Sequence, residues 1–151
     1  MKRQIVKGLA MLMVTLALAA VSATVANGQS NARLIAHVPF DFVVGEKTLP
    51  AGKYSVAATD QSGATMAIAN SQGDAAIRLS SPMERKDREK AAKLVFHRYG
   101  STYFLAQVWR AGEATGREIS KSDQERGMAR ELKLAKNGRS FETVIVVANA
   151  R

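Results

Sequence analysis

Two β-rich runs joined by a glycine-serine pair constrain the fold of this chain more than any other feature. The first run is LVFHRY, residues 94–99, and the second is TYFLAQVW, residues 102–109, with Gly100 and Ser101 between them. A two-residue connection with glycine in first place is typical of a β-hairpin with a type II′ turn. The predicted register pairs Tyr99 with Thr102, Arg98 with Tyr103 and His97 with Phe104.

Both faces of this predicted hairpin are largely apolar. One face carries Val95, His97, Tyr99, Phe104, Ala106 and Val108. The other face carries Leu94, Phe96, Arg98, Tyr103, Leu105, Gln107 and Trp109. Because strands that are apolar on both faces are usually covered on both sides, we expect this hairpin at the centre of the sheet.

Further β-rich segments predict the rest of the sheet. They are residues 34–44, 53–57, 65–69, 75–79 and 141–147. Pro39 interrupts the first segment, which fits two short strands or one bent strand. The stretch between the central hairpin and residue 120 reads as a polar link through Gly112 and Gly116.

Residues 120–136 predict a helix before the last strand. Ser122 and Glu125 have the spacing of a capping box, and Gly127 costs about 1 kcal/mol relative to alanine. The apolar stripe and the stop signal consist of Met128, Leu132, Ala135, Asn137 and Gly138. The expected fold is mainly β: an antiparallel β-sandwich or partly open barrel of about seven strands with one C-terminal helix before the last strand.

Residues 82–93 (PMERKDREKAAK) contain eight charged side chains between Glu84 and Lys93. Ser81, Pro82 and Glu84 could begin a helix, but no continuous apolar stripe accompanies them. Charge runs usually cover an exposed face, so the pattern predicts a charged loop or a short helix.

The N-terminal residues 1–28 predict a cleavable signal peptide. Lys2, Arg3 and Lys7 precede an apolar run from Leu9 to Val21, and small residues follow it. An apolar run of about a dozen residues is too short for a stable membrane span, and no charged stop follows it before Arg33. Cleavage is therefore expected, rather than an uncleaved anchor, and the protein is predicted to be exported to the periplasm or the extracellular space.

Cleavage leaves one β-rich domain, residues 29–151, whose charge is uneven. The whole chain has 22 basic and 13 acidic residues, a net charge of +9, and three of the basic residues belong to the signal segment. The domain then carries 19 basic and 13 acidic residues, or +6. Residues 29–81 hold four of each sign, so the whole excess lies in residues 82–151.

The chain contains no motif for catalysis or for cofactor binding. It has no cysteine and only two histidines, His37 and His97, whereas a catalytic zinc site needs three protein ligands. The nucleophile elbow of hydrolases and the glycine-rich phosphate loops are missing from the sequence. We therefore assign no catalytic, cofactor or metal residue and expect no enzyme, with a hydrolase that uses His97 or His37 as the lesser alternative.

The basic C-terminal half favours a binding or structural module. Outside the cytoplasm a basic surface meets anionic envelope polymers, lipid headgroups or acidic proteins, and the export signal argues against nucleic acid. After cleavage the chain is not expected to span a membrane. A carrier with a small-ligand pocket between helix and sheet is the other alternative.

Three blocks of the sequence resemble a known family. They are VPFDFVVGEKTLPAGKYSV, KLVFHRYGSTYFLAQVW and GREISKSDQERGMAREL, which lie between Ala36 and Leu132. Together they are similar to a family of small exported bacterial proteins without an assigned reaction, cofactor or ligand. The resemblance implies a signal peptide and a mainly β domain, and it assigns no functional residue.

Overall fold

The computed structural model describes residues 33–135 and 141–151. The predicted signal segment 1–28 and the predicted helix stop at Asn137 and Gly138 lie outside the described residues. The described residues belong to one compact unit. The strands are β1 (Leu34–Val38), β2 (Phe42–Val44), β3 (Lys47–Leu49), β4 (Gly52–Ala58), β5 (Thr65–Asn70), β6 (Ala75–Glu84), β7 (Lys93–Tyr99), β8 (Thr102–Trp109), β9 (Thr115–Ile119) and β10 (Glu142–Ala150), and the helix is α1 (Asp123–Ala135).

Among the described residues, eight strands close into an antiparallel barrel. Their order is β8, β7, β10, β1, β4, β5, β6 and β9, and β9 pairs with β8 to complete the ring. The hairpin of β2 and β3 is attached to it through a parallel pairing of β2 with β8. A mainly β fold with a helix before the last strand is confirmed. The expectation of about seven strands in a sandwich or partly open barrel is corrected to a closed barrel with two further strands.

Two strands that the sequence did not predict account for much of this difference. Strand β9 (TGREI) lies in the predicted polar link, where Gly116 and Ile119 are its buried residues. Strand β3 (KTL) buries Leu49 alone. Strands with so few buried apolar side chains show no clear alternation of apolar and polar residues in the sequence. They form because neighbouring strands offer them backbone partners.

The central hairpin has the predicted turn and the predicted register at its turn end. Gly100 has a φ of 63°, and among the described residues only glycines have a positive φ. All three expected residue pairs form. Phe96 faces Leu105, but Val95 faces Gln107, so Ala106 is bulged out of the pairing. The bulge corrects the predicted faces, because Val108 joins the barrel interior with Leu94, and Gln107 and Trp109 turn to the other side.

The two edges of β8 have different neighbours. One edge pairs with β7 along its length, while the other pairs with β2 at Phe104 and with β9 at Gln107 and Val108. The bulge at Ala106 lies between these two partners. Strand β2 sends Phe42 and Val44 into the barrel interior and Val43 to the outer face.

Large side chains fill the barrel interior. The Phe42 ring meets the rings of Tyr54 and Phe96 edge to face, at centroid distances of 5.0 and 5.4 Å. The Tyr54 hydroxyl donates a hydrogen bond to the Pro50 carbonyl oxygen over 2.7 Å. A small barrel of this kind is a packed core whose buried hydroxyl is satisfied by the backbone.

Helix α1 packs on the outer face of the barrel and lies within the predicted range 120–136. Its half-buried residues Met128, Ala129 and Leu132 cover a second apolar cluster. That cluster consists of Val43, Tyr99 and Phe104.

The charged stretch 82–93 contains no helix. Residues 82–84 extend β6 and pair with β9, residues 85–92 form a loop, and Lys93 begins β7. Of the two predicted alternatives, a charged loop or a short helix, the structure shows the loop. Pro82 is accommodated in a strand because it lies in the far half of β6, beyond the pairing with β5.

Candidate functional site

The two histidines lie apart in the barrel. His97 lies on β7 opposite Thr143 of β10, whereas His37 lies on β1, whose pairing with β10 runs from Ala148 to Ala150. His37 is exposed and His97 is 6% exposed. Within residues 33–135 and 141–151, no three His, Cys, Asp or Glu side chains come together in a way that could hold a metal ion.

His97 forms a buried polar cluster with Tyr99 and Glu125. The Glu125 carboxylate oxygen Oε1 lies 3.1 Å from His97 Nδ1 and accepts a hydrogen bond from the Tyr99 hydroxyl over 3.3 Å. Glu125 is 3% exposed, and the Phe141 ring covers His97 with a centroid distance of 3.9 Å. One carboxylate of α1 is thus bound by two side chains of β7.

Glu125 explains how α1 begins and how it docks. Its backbone N–H donates to the Ser122 hydroxyl over 3.1 Å, which is one half of the predicted capping box. Its carboxylate, which the capping box would direct back to the Ser122 backbone, points instead to His97 and Tyr99. The sequence therefore predicted the cap but missed the contact with the barrel.

The pKa of Tyr99 is raised well above its usual range. Burial is the largest cause, and the Glu125 carboxylate adds to it by its charge and by accepting the hydrogen bond. Tyr99 therefore stays protonated and acts as a donor. A histidine beside a carboxylate is also the arrangement that orients a general base, but here the ring is covered by Phe141 and α1.

A second site lies in the charged loop, where a depression of about 530 Å³ opens on the surface. Its lining residues are Arg85, Lys86, Asp87, Arg88, Glu89, Lys90, Ala91 and Lys93, and we call it the basic depression. Five cations and two carboxylates give this lining a net charge of +3. The volume lies within the range of about 300–1,000 Å³ that is typical of ligand pockets.

Backbone hydrogen bonds fasten the loop to the segment before β9. The Arg85 N–H donates to the Ala114 carbonyl over 2.9 Å, and the Glu89 N–H donates to the Glu113 carbonyl over 3.0 Å. In return the Gly112 N–H donates to the Glu89 carbonyl over 2.8 Å. The loop was expected to be simply solvated, and this anchoring has no signal in its own sequence because the partners lie more than twenty positions away.

The Glu89 carboxylate joins the two ends of the loop. Its oxygens lie 2.9 Å from an Arg85 nitrogen and 2.7 Å from Lys93 Nζ. The hydrogen bond from Lys93 is the main reason why the pKa of Glu89 is lowered. The Arg85 guanidinium also lies over the ring of the buried Trp109, 4.7 Å from its centroid.

Comparison with known proteins adds no relative from which a role could be carried over. No family model, no curated protein and no solved structure matches the chain. In the part of the chain that the structure describes, no helix is both long and apolar enough to cross a membrane. The two sites must therefore be interpreted from their own chemistry.

Proposed function

We propose that this protein is an exported module of the periplasm or cell envelope that binds an anionic partner and catalyses no reaction. It would belong to the family of small exported bacterial proteins that its sequence blocks resemble. The basic depression is the observation that carries the proposal. Its cations lie on an anchored loop in the half of the domain that holds the whole charge excess.

The buried polar cluster supports a role without catalysis. His97 is the histidine that meets an acid, and it is 6% exposed beneath Phe141 and α1. Side chains of the second apolar cluster fill the contact between α1 and the barrel, where a carrier would need its pocket. The proposal therefore places the partner at the basic depression.

Charge reversal at the basic depression tests this function. In Lys86→Glu/Lys90→Glu we expect retention on an anionic matrix to fall by at least about 30-fold at low salt, because each surface lysine contributes about 1 kcal/mol. The matched control is Lys53→Glu/Lys133→Glu, which changes the net charge equally at exposed positions outside the depression. Equal losses in the two variants would mean that net charge alone causes retention.

Mass analysis of the exported protein tests its location. A mature N-terminus between residues 24 and 29 is the expected result, because small residues near Ala23, Ala26 and Gly28 fit the peptidase pocket. Recovery of the exported protein with Met1 intact would contradict the predicted cleavage.

A hydrolase is the second candidate, and the 3.1 Å contact between His97 and Glu125 is the observation that favours it. Hydrolysis of ester substrates by the wild type and by His97→Gln decides between the two. Activity that disappears in a variant with an unchanged near-ultraviolet circular dichroism spectrum would favour the hydrolase. Binding at the basic depression without such activity favours the module.

A further inference from the structure

We propose that the basic depression binds a linear chain of phosphate groups. The inference rests on the proposed function and names the ligand of the same site. It follows from the charges that remain available in the loop, from their spacing and from the shape of the surface.

The cations of the basic depression fall into two groups, those paired with a carboxylate and those available to a ligand. Arg85 and Lys93 share the Glu89 carboxylate, which compensates one of their two positive charges within the protein. Lys86 and Lys90 have no hydrogen bond or ion pair to any described residue. Most of the positive charge that a ligand meets comes from these two lysines and from Arg88.

Arg88 is held in place and still has donors for a ligand. One terminal nitrogen donates to the Gly112 carbonyl over 2.9 Å, which leaves most of its five N–H groups unused. The negative charge of the exposed Asp87 cancels one of these positive charges. Together the side chains without a charged partner, Lys86, Asp87, Arg88 and Lys90, carry a net charge of +2. The site attracts anions, but Asp87 limits its affinity.

The spacing of the cations favours a ligand with repeated charge. Lys86, Arg88 and Lys90 occupy every second position, and alternate Cα atoms of a chain lie about 5 to 7 Å apart. The cations are therefore distributed along the loop, and a ligand whose charges repeat can contact all of them at once. Lysine ammonium groups act as point charges for phosphate oxygens, and a guanidinium can bind two such oxygens at once.

The shape of the site favours a chain over a bilayer. The basic depression is concave, and its lining contains no large apolar side chain that could insert between lipids. The large exposed apolar side chains of the described residues lie elsewhere: Ile77, Leu79, Leu134, Phe141, Ile145 and Val147. A narrow polymer can lie along this open, shallow depression, whereas a bilayer would gain no apolar contact there.

The anchored backbone reduces the cost of binding. Hydrogen bonds from the loop to residues 112–114 already fix the segment that presents the lysines. Fewer backbone torsions must then be ordered when the ligand binds. The exposed lysine side chains remain to be ordered.

Titration of the full-length protein with inorganic polyphosphate at several salt concentrations tests the inference. The single tryptophan, Trp109, lies beneath Arg85 and provides a fluorescence signal. In Lys86→Gln/Lys90→Gln we expect affinity to fall about 30-fold and the slope of log K against log salt to flatten by about 1.4, because each lost contact removes about 0.7. The control Lys53→Gln/Lys133→Gln should keep the slope of the wild type and an affinity within about twofold of it.

Other probes separate failure of this inference from failure of the proposed function. If phosphatidylglycerol vesicles or polyglutamate bind at the depression lysines and polyphosphate does not, the module stands and the phosphate chain is wrong. Orthophosphate that binds as tightly as polyphosphate would contradict a linear ligand. If the two double variants lose affinity equally for every anionic probe, both the inference and the proposed function are wrong.

Discussion

The charged loop 85–92 and helix α1 both lie outside the barrel wall, and in each a single carboxylate joins two side chains. Glu89 joins Arg85 and Lys93 at the edge of the loop, where the Arg85 side chain is 49% exposed and those of Glu89 and Lys93 are 11% and 16% exposed. Glu125 joins His97 and Tyr99 beneath the helix, where all three are nearly excluded from water. A glutamate thus joins two neighbours in both regions, but in very different surroundings.

Burial explains the difference. The partners of Glu89 are long cationic side chains that can turn toward water when the carboxylate is removed, and Arg85 is already half-exposed, so Glu89 mainly arranges the charges of the loop. A buried carboxylate has lost its hydration and depends on its two donors, so its removal leaves His97 and Tyr99 without their acceptor. We therefore expect the loop to matter for binding and the helix contact to matter for stability.

The largest expected effect is the loss of stability in Glu125→Ala. We expect the free energy of unfolding to fall by about 3 kcal/mol, because two buried donors lose their acceptor. In Glu89→Ala the fall should be smaller, about 1 kcal/mol, because its two partners are flexible cations that can turn toward water. Urea unfolding monitored by circular dichroism measures both.

Glu131→Ala is the matched control for this comparison, because Glu131 is an exposed residue of the same helix. It should change the free energy of unfolding by less than about 0.5 kcal/mol. An effect of Glu125→Ala no larger than that of Glu131→Ala would contradict an anchoring role for the buried carboxylate.

The contrast also shows which parts could be predicted from sequence. The turn at Gly100 and the start of α1 at Ser122 depend on neighbouring residues, and both were predicted correctly. The contact between His97 and Glu125 spans 28 positions, and neither residue has a local pattern that announces it. The bulge at Ala106 was not predicted either. It lies where β8 changes partner from β2 to β9, and both of these strands are distant in sequence from the turn.

The basic depression was predictable only in part. The run of charges from residue 84 to residue 93 correctly indicated an exposed segment. Three of the hydrogen bonds that attach it to residues 112–114 join backbone groups, which every residue type carries, and a fourth joins the Arg88 side chain to a backbone carbonyl, so no sequence pattern announces the attachment. The shape of a site built on such contacts becomes visible only in the folded chain.

The close packing of Trp109 against β9 supports the charged loop. A Cβ atom at Gly116 would lie 2.6 Å from the ring of Trp109, on which the Arg85 guanidinium rests. Because this fully buried ring has little room to move, Gly116→Ala should lower the free energy of unfolding by about 2 kcal/mol. It should also shift the fluorescence of Trp109.

Thr115→Ala provides the control in the same strand, since Thr115 is exposed. Its effect on stability and on fluorescence should be small. If Gly116→Ala is no more disruptive than this control, the close packing of Trp109 against β9 does not support the loop.

The pH dependence of stability tests the contact between α1 and the barrel. Tyr99→Phe removes the hydrogen bond to Glu125 and should cost about 1.5 kcal/mol near neutral pH. The pKa of Tyr99 is raised in the folded state, so its stabilisation is complete below the unfolded value of about 10 and is lost as pH rises above it. The stability gap between wild type and variant should therefore narrow above about pH 10.

Urea unfolding of both proteins across the alkaline range measures this gap. Tyr54, whose pKa burial also raises, is present in both proteins and cancels in the difference. A gap that stays constant well above pH 10 would mean that Tyr99 ionises equally easily in both states.

The smallest expected effect is a gain in stability within α1. Gly127 lies in the helix interior, and a Cβ atom added there would meet no atom within 4 Å outside the local helix backbone. Gly127→Ala should therefore raise the free energy of unfolding by between about 0.4 and 1 kcal/mol, because alanine loses less backbone entropy on folding. Polyphosphate affinity should stay unchanged, since the basic depression contains no residue of α1. A variant that gained stability and also lost polyphosphate binding would show that the two regions are coupled, which would contradict the separation between an anchoring helix and a binding loop.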